Sequence, residues 1–354
     1  MTEPARIGVI GTGFGRQHVE IFQKLDHAEV VAVCSAQLER ASSLAQTYGV
    51  PEATDDYSDL LRPGSGVDAV VIATPPGLHH RMALDAIAAG KHVFCEKPLA
   101  ASLDEAREMC RAAEAAGVVN MINYQMRFAP NYAQAHRMAG EGYIGRLAAL
   151  DLATRINPVG YLQSPAWSSS KASWFTDAGS RGGLLGSSAG PHMVDLALWY
   201  GGPVEAVAAG TAVSRKAIPL ADGTEVRDIS AEDTFLLIVR FAGGAVGTLR
   251  GIPIAHRSGG WSLELDGAEG SLIASDGNLL GTNSASSRPE PIDLKEPGVS
   301  MRQMIAQRFI EAIHAGGNGS STTPSFRDGL AAQALLEAAI EAAETGRWVA
   351  PEAV

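Results

Sequence analysis

The stretch Ile7-Gly8-Val9-Ile10-Gly11-Thr12-Gly13-Phe14-Gly15 decides the fold of this chain. Its first four residues form a short apolar run, which is typical of a strand buried on both faces of a sheet. Glycines then permit a tight turn, and residues 16–25 carry the spacing of an amphipathic helix. Strand, glycine turn and helix in this order predict a unit whose turn cradles the phosphates of a dinucleotide.

The glycines of this turn have separate tasks. Gly11 allows the turn, and Gly13 lets the backbone approach a pyrophosphate at the N-terminus of the following helix. The usual pattern places a third glycine at position 16, where this chain has Arg16, so we expect Gly15 to make the close helix–strand contact. The predicted binding turn consists of Gly11, Thr12, Gly13, Phe14 and Gly15.

Strand and helix patterns alternate up to residue 123. Further apolar runs predict strands at 30–34, 69–73, 92–95 and 118–122, and helical spacing covers 38–48, 79–89 and 103–116. Ser102 and Glu105 form a capping box, and Gly117 stands where a helix C-terminal cap belongs. Such alternation requires right-handed crossovers and a parallel sheet. We therefore expect an α/β Rossmann domain over residues 1–123.

Glu96-Lys97-Pro98 directly follows the predicted strand at 92–95. In open α/β sheets, ligands bind outside the carboxyl ends of the strands. Lys97 and the glycine turn should therefore reach the same crevice, which predicts a lysine-assisted, nicotinamide-dependent dehydrogenase.

The end of the second strand bears on the choice of dinucleotide. NAD sites usually place an acidic residue there, but this chain reads Cys34-Ser35-Ala36-Gln37. Ser35 can donate a hydrogen bond to a phosphate and Arg40 can pair with it, which favours NADP modestly over NAD. If Arg40 is only a solvated helix residue, the site accepts either cofactor.

From residue 124 onward the pattern changes. Two hairpins are predicted, 234–241 with 245–250 and 261–266 with 271–275, together with strands at 147–154 and 204–211, helices at 130–138, 191–200, 301–315 and 327–344, and a loop at 283–297. This pattern predicts an α+β domain over 124–354 with a largely antiparallel open sheet. A sheet face not covered by helices favours a homodimer or homotetramer.

A histidine stands at the start of one predicted helix. Glycines in the segment 182–190 lead to a helix that starts near Pro191, and His192 falls in its first turn. The helix dipole there favours a neutral imidazole that can act as a base, and Asp195 could orient the ring. Alone, a histidine in this position is more often structural than catalytic.

Composition limits the class of protein. The chain has 354 residues, enough for two domains, with 46% hydrophobic and 19% charged residues. A net charge of -11 disfavours nucleic acid, and no apolar run reaches membrane-spanning length. The three cysteines form neither a disulfide framework nor a metal-ligand pattern, and the N-terminus lacks the layout of a signal peptide. We expect a cytoplasmic protein without a metal.

Several motifs occur in the order of one known family. They are the glycine turn, Thr74-Pro75, Glu96-Lys97-Pro98, Asn123-Tyr124-Gln125-Met126-Arg127-Phe128 and Gly190-Pro191-His192-Met193-Val194-Asp195. Together they resemble the glucose-fructose oxidoreductase / inositol dehydrogenase (Gfo/Idh/MocA) family of NAD(P)-dependent sugar and polyol dehydrogenases. Each motif is modest, but their joint order is specific and covers nearly the whole chain.

The resemblance implies site residues in both domains. It implies that Lys97 lies beside the nicotinamide and the substrate hydroxyl, and that His192 is the family histidine. Many members have an aspartate four residues before that histidine, where this chain has Ser188. Ser188 can hydrogen-bond a sugar hydroxyl but cannot accept a proton at neutral pH.

Further positions carry smaller expectations. Arg127 matches a residue near cofactor and substrate, the alternative being a surface ion pair. Trp174 matches a tryptophan that borders the sugar, with a core residue an equally good interpretation. Thr74, Pro75 and His79 are expected on the cofactor side. The two histidines expected to pack or face solvent are His18 and His80.

The expected chemistry is hydride transfer between nicotinamide and a sugar or polyol. His192 would take or relay the proton while Lys97 polarises the reacting oxygen, and the two roles could be exchanged. A redox-neutral enzyme, which oxidises a sugar transiently and then reduces it again, remains an alternative because Ser188 replaces the family aspartate. A non-catalytic nucleotide or sugar sensor is a second alternative. The substrate is left open, since it depends on loops such as 157–172 and 217–228.

Overall fold

The computed structural model describes residues 3–156, 175–180, 182–220, 222–253, 260–286, 288–295, 298–317 and 323–354. The chain divides into two compact units, Met1–Gln125 with Val299–Gln333 and Met126–Gly298 with Ala334–Val354. The sequence places the division two residues earlier, after residue 123. It also assigns the segment Val299–Gln333 to the second domain, whereas this segment clusters with the first unit.

The first unit is built on a parallel sheet. Within the described residues its strands are β1 (Ala5–Ile10), β2 (Ala28–Cys34), β3 (Glu52–Thr54), β4 (Ala69–Ile72), β5 (His92–Cys95) and β6 (Asn120–Ile122). Their order is β3-β2-β1-β4-β5-β6, and every pairing is parallel. The predicted Rossmann sheet is confirmed. The sequence misses β3, a short strand without a buried residue.

Helices connect these strands and place the ligand crevice. They are α1 (Gly15–Phe22), α2 (Leu38–Tyr48), α3 (Ser58–Leu61), α4 (His79–Ala88) and α5 (Leu103–Ala116). The capping box predicted for α5 is present, since Ser102 Oγ accepts from the main-chain N–H of Glu105. Strand order reverses between β1 and β4, and open α/β sheets bind ligands at the carboxyl ends of strands at this switch point.

The second unit is built on a mixed sheet. Its described strands are β7 (Leu147–Ile156), β8 (Val204–Ala212), β9 (Ala217–Pro219), β10 (Glu225–Arg227), β11 (Thr234–Phe241), β12 (Val246–Pro253), β13 (Gly260–Gly267), β14 (Gly270–Ser275), β15 (Asn278–Asn283) and β16 (Glu290–Pro291). The large sheet has the order β16-β15-β14-β13-β7-β12-β11-β8, and β9 and β10 form a separate hairpin. Only the pairing of β7 with β12 is parallel among these described strands. The predicted largely antiparallel sheet and both predicted hairpins are confirmed.

One face of the mixed sheet is buried beneath α6 (Pro130–Gly140) and α7 (Ala189–Gly201). Along β11, buried residues alternate with exposed ones, as a half-buried strand requires. The outward residues include apolar side chains: Leu236 is 45% exposed and Ile238 is 43% exposed. This strand therefore has an apolar outer surface.

The last helices are α8 (Met301–Ala315) and α9 (Phe326–Thr345), at almost the predicted positions. Phe309 on α8 packs edge-on against Phe22 and Phe94, with ring centroids 6.4 and 5.4 Å away. Just before α9, the carbonyl oxygen of Pro324 accepts a hydrogen bond from the main-chain N–H of Ile122 on β6. These contacts explain why this segment clusters with the first unit. Across the described helices, none has the length and apolar character required to cross a bilayer.

Candidate functional site

The glycine turn has the geometry that a dinucleotide requires. Gly11 follows β1 with a φ of 104°, and a Cβ atom there would lie 2.4 Å from the carbonyl oxygen of Ala73. A Cβ atom at Gly15 lies 3.1 Å from Val9 Cγ1, so this glycine allows α1 to begin close against the sheet. Gly13 is exposed, which leaves the backbone accessible to a ligand. The turn therefore fits a pyrophosphate at the N-terminus of α1.

Ser35 lies against this turn. Its Oγ is 3.4 Å from Thr12 Oγ1 and accepts a hydrogen bond from the main-chain N–H of Gln37 at 3.4 Å. Arg40, in the first turn of α2, is exposed to solvent. The structure thus brings two of the predicted hydroxyl groups, those of Thr12 and Ser35, together at the end of β2. The exposed side chain of Arg40 follows five residues after Ser35.

His79 connects two segments at the carboxyl edge of the sheet. Its ring is fully buried, with Nδ1 2.9 Å from the carbonyl oxygen of Pro98 and Nε2 2.9 Å from that of Thr74. Burial lowers the pKa of His79, although the two main-chain oxygens oppose that shift. The imidazole therefore bridges the carbonyl oxygens of Thr74 and Pro98. Pro75 beside it is exposed.

Glu96 carries a fixed negative charge at the end of β5. Its side chain is only 12% exposed. Glu96 Oε1 lies 2.8 Å from His18 Nε2 and accepts a hydrogen bond from Asn123 Nδ2 at 2.6 Å. Burial alone would raise the pKa of Glu96, but these bonds and the charges of His18 and Lys97 lower it to about 2. The carboxylate is thus ionised at neutral pH.

Lys97 is half-buried and follows Glu96 directly. Burial lowers the pKa of Lys97, the charge of Glu96 opposes this shift, and Arg302 on α8 adds to it. Desolvation strengthens the electrostatic action of such a group, and a lowered pKa brings it closer to proton exchange near neutrality. The arrangement suits a group that polarises an oxygen and exchanges a proton with it.

In the second unit, Arg127 and Asp195 form a buried ion pair. Arg127 Nε donates to both carboxylate oxygens at 3.1 and 3.0 Å, and Nη2 donates to Oδ1 at 2.5 Å. The two side chains are 4% and 1% exposed. The guanidinium also lies 5.5 Å from the ring centroid of Trp199. Arg127 therefore forms an ion pair, but the alternative of a surface ion pair is wrong because this pair is buried.

His192 is the fourth residue of α7 and is 6% exposed. Its ring lies edge-on to Trp261, with the centroids 6.4 Å apart. Ser188, directly before α7, is half-buried. The helix starts two residues earlier than predicted, because a π-helical turn at Leu184–Ser188 leads straight into it. Trp174 lies outside the described residues.

Sequence reasoning missed Glu232, which holds that turn. Its Oε1 accepts hydrogen bonds from the main-chain N–H groups of Leu185 at 2.6 Å and Gly186 at 3.1 Å. Gly183 has a φ of 97°, and a Cβ atom there would lie 2.4 Å from the same oxygen. Burial raises the pKa of Glu232, while these backbone bonds oppose the shift. The sequence signal for this contact is the glycine-rich composition of residues 182–190, since glycines allow another side chain to approach the backbone closely.

The sequence predicts that His18 packs or faces solvent. Its side chain is packed, at 5% exposure, and its ring also contacts the carboxylate of Glu96. The available signal was positional, because the first turn of α1 and the end of β5 both belong to the carboxyl edge of one sheet. His80, by contrast, forms a surface pair with Glu108 at 2.8 Å.

Parallel sheet, strand reversal and glycine turn together define a dinucleotide-binding protein of the Rossmann class. The family model "Oxidoreductase family, NAD-binding Rossmann fold" matches residues 5–124, and the "GFO/IDH/MocA C-terminal domain" matches residues 132–273. The chain belongs to the Gfo/Idh/MocA family of oxidoreductases, as its motifs predicted.

Curated relatives extend over the whole chain. Levoglucosan dehydrogenase of Pseudarthrobacter phenanthrenivorans is 29% identical, with 97% of each chain covered. The 1,5-anhydro-D-fructose reductase of Ensifer adhaerens is also 29% identical, again with 97% of each chain covered. A solved structure of levoglucosan dehydrogenase in complex with NADH and L-sorbose is 25% identical and superposes with a TM-score of 0.87 over 98% of this chain and 99% of that chain.

Proposed function

We propose that this oxidoreductase transfers hydride between a nicotinamide cofactor and a hydroxyl or carbonyl group of a sugar, polyol or sugar derivative. The observation that carries the proposal is Lys97, half-buried beside the ionised Glu96, on the same sheet edge as the glycine turn. The names of the relatives support the substrate class, since levoglucosan and 1,5-anhydro-D-fructose are both sugar derivatives.

When bound, NAD(P) supplies the hydride acceptor or donor. The chain would hold it with the turn at Gly11–Gly15 and with Ser35, Thr74 and Pro75. Lys97 then polarises the reacting oxygen and stabilises the alkoxide that develops on it. His192 takes or relays the proton. Because burial lowers the pKa of Lys97, the lysine is also able to exchange this proton itself.

Ser188 and Arg127 complete the proposed substrate side. Ser188 has the place of the family aspartate and offers a hydroxyl to a sugar. Arg127 acts mainly through its ion pair with Asp195, which holds α7 and thereby His192. The match of Trp174 to a family tryptophan that borders the sugar stays a prediction, as does the alternative of a core residue.

The proposed cofactor preference is for NADP over NAD. Ser35 lies against the turn at the end of β2, and residues 34–37 there contain no acidic side chain for a ribose hydroxyl. A hydroxyl at this position donates to the 2'-phosphate, and the exposed Arg40 pairs with it.

We further propose a homodimer or homotetramer formed through the mixed sheet. The outward side chains Leu236, Ile238 and Val246 are 45%, 43% and 51% exposed on neighbouring strands. Covering them would remove apolar surface from water. Light scattering after size exclusion measures the mass, and Ile238→Lys should dissociate the oligomer. A wild-type monomer would contradict this proposal.

The decisive experiment is calorimetric titration of the purified protein with NADP+ and NAD+, followed by a panel of aldoses, polyols and anhydrosugars read in the absorbance band of reduced nicotinamide. Tighter binding of NADP+ and reduction with one substrate class would support the proposal. Nucleotide that copurifies, with no net absorbance change for any substrate but conversion of one by chromatography, would indicate the redox-neutral alternative. Binding without any conversion would indicate a sensor.

A further inference from the structure

Glu96, which directly precedes Lys97, contacts a set of polar groups that the proposed mechanism does not use. Glu96 Oε1 is shared by His18 from α1, at 2.8 Å, and by Asn123 from the end of β6, at 2.6 Å. Glu96 Oε2 accepts the main-chain N–H of Lys97 at 3.3 Å. These residues lie 78 and 27 positions from Glu96 in the chain, so the tertiary fold assembles them at one sheet edge.

The ring of His18 is held in a fixed orientation. It is 5% exposed and packs edge-on against Phe94 at 5.5 Å between ring centroids, with Phe22 at 6.4 Å. A buried imidazole with aromatic rings around it presents Nε2 in one direction only, and that direction is the carboxylate of Glu96.

Asn123 is held equally well. Its main-chain N–H donates to the carbonyl oxygen of Cys95 at 2.8 Å, which fixes the side chain beside β5. Because a carboxylate only accepts, the contact with Glu96 identifies the nearer side-chain atom of Asn123 as Nδ2. Both donors therefore point at one oxygen and leave the carboxylate little freedom to turn.

We infer that His18 and Asn123 are positioning residues of the reaction: they hold the carboxylate of Glu96 in one orientation beside Lys97, and Glu96 in turn holds the lysine charged and directed at the reacting oxygen. The inference rests on the proposed role of Lys97 in hydride transfer. Hydrogen bonds to the ionised form of a half-buried carboxylate offset its loss of hydration. Without them Glu96 turns or becomes protonated, and desolvation of Lys97 is no longer opposed.

The charged and titratable groups that act on this pair come from four elements. His18 lies on α1, His79 on α4 and Arg302 on α8, while Glu96 and Lys97 themselves follow β5. Arg302 disfavours the charged lysine, and burial lowers the pKa of His79 against the opposing effect of its two main-chain hydrogen bonds. Among these groups Glu96 is the anion whose charge opposes the effect of burial on the pKa of Lys97.

The test measures protonation of Lys97 without any substrate. Trace acetylation of the intact protein is followed across pH by mass spectrometry of the peptide that carries Lys97, with Lys24 as an exposed internal reference. Glu96→Gln should move the Lys97 midpoint down by about 1 to 3 pH units, the effect of one nearby opposite charge. His18→Leu should move it in the same direction by about half to one unit, and His18→Gln, which keeps a side-chain donor, should restore most of the wild-type value.

Matched variants distinguish the loss of a positioning contact with Glu96 from a general loss of packing. His80→Leu removes a histidine that meets Glu108 at the same 2.8 Å on the surface of the same unit, and it should leave the Lys97 midpoint unchanged. Asn123→Ala tests the second donor and replaces His18→Leu if that variant does not fold. Thermal melting and nucleotide titration of each variant confirm that fold and cofactor site are intact.

A wild-type Lys97 midpoint in folded His18→Leu and Asn123→Ala would overturn the inference, as would His18→Gln behaving like His18→Leu. Once a substrate is known, His18→Leu should lower kcat about tenfold with the KM for nucleotide unchanged. Failure of the wild-type protein to convert any substrate would count against the proposed function alone, because the midpoint of Lys97 is read without turnover.

Discussion

Two carboxylates with little exposure to solvent, one in each unit, are stabilised by different partners. Asp195 is 1% exposed and meets a guanidinium through three hydrogen bonds of 2.5 to 3.1 Å. Glu96 is 12% exposed and meets an imidazole, an amide and a main-chain N–H. The guanidinium of Arg127 neutralises the charge of Asp195 and fixes the position of α7. Glu96, held largely by hydrogen-bond donors, keeps a charge that acts on Lys97.

The largest expected effect on stability comes from removing the counter-ion of Asp195. Arg127→Leu leaves a buried carboxylate without its guanidinium, and we expect a loss of about 3 to 5 kcal/mol in the free energy of unfolding. Urea denaturation followed by circular dichroism measures this loss.

The control is the double variant Arg127→Leu/Asp195→Leu, which removes both charges. It should recover a large part of the loss, because an apolar pair of similar volume replaces a buried ion pair at little cost. A loss below about 1 kcal/mol for Arg127→Leu would show that water reaches Asp195 and that the pair is not a core contact.

Removing Lys97 should have the opposite effect: turnover is lost, while the stability of the fold is unchanged. We expect Lys97→Ala to fold, to bind nucleotide with unchanged affinity and to lose about 10²- to 10³-fold in kcat, or about 3 to 4 kcal/mol. Steady-state kinetics and nucleotide titration measure the two effects separately. Lys24→Ala, which removes an exposed lysine paired with Glu20, is the control and should retain full turnover. Near-normal turnover of Lys97→Ala would remove the lysine from the mechanism.

Sequence patterns predicted what depends on neighbours along the chain. The buried strands, the glycine turn, the hairpins and the bounds of α8 follow from local periodicity and turn residues. Local reasoning also paired Asp195 with His192, one turn away on the same helix. The structure gives Asp195 a partner 68 positions distant, Arg127, which no local pattern indicates.

The same limit explains the other omissions. The contact of His18 with Glu96 and the return of Val299–Gln333 to the first unit both depend on tertiary packing. β15, at Asn278–Asn283, has only two fully buried residues, so its pattern was too weak to predict a strand. Lys97 could be predicted even without the resemblance. It follows a predicted strand of a parallel sheet, and ligands bind outside the carboxyl ends of such strands.

Acid should weaken the contribution of Glu96 to the stability of the fold. The pKa of Glu96 falls from its ordinary 4.5 to about 2 in the folded protein, so its ionised form stabilises the fold above the ordinary value. That contribution is lost as pH falls from about 4.5 towards 2, with about 2 kcal/mol gone by pH 3.

Denaturation of wild-type protein and Glu96→Gln at pH 6 and pH 3 measures this term. The wild type should lose about 2 kcal/mol more than the variant over this interval, because glutamine does not titrate. Equal losses in the two proteins would mean that the carboxylate of Glu96 is not held by its neighbours.

The smallest effect concerns the proposed cofactor preference, which rests on the hydroxyl group of Ser35 at the end of β2. Ser35→Asp places a negative charge at the end of β2, which accepts hydrogen bonds from the ribose hydroxyls of NAD and repels the 2'-phosphate of NADP. The ratio of the two dissociation constants should shift towards NAD by about tenfold, or about 1.4 kcal/mol. Ser42→Asp, an exposed position on α2, adds the same charge to the surface and should leave the ratio unchanged. Equal ratios in Ser35→Asp and wild type would show that Ser35 does not contact the ribose, and that the missing acid at the end of β2 does not select the cofactor.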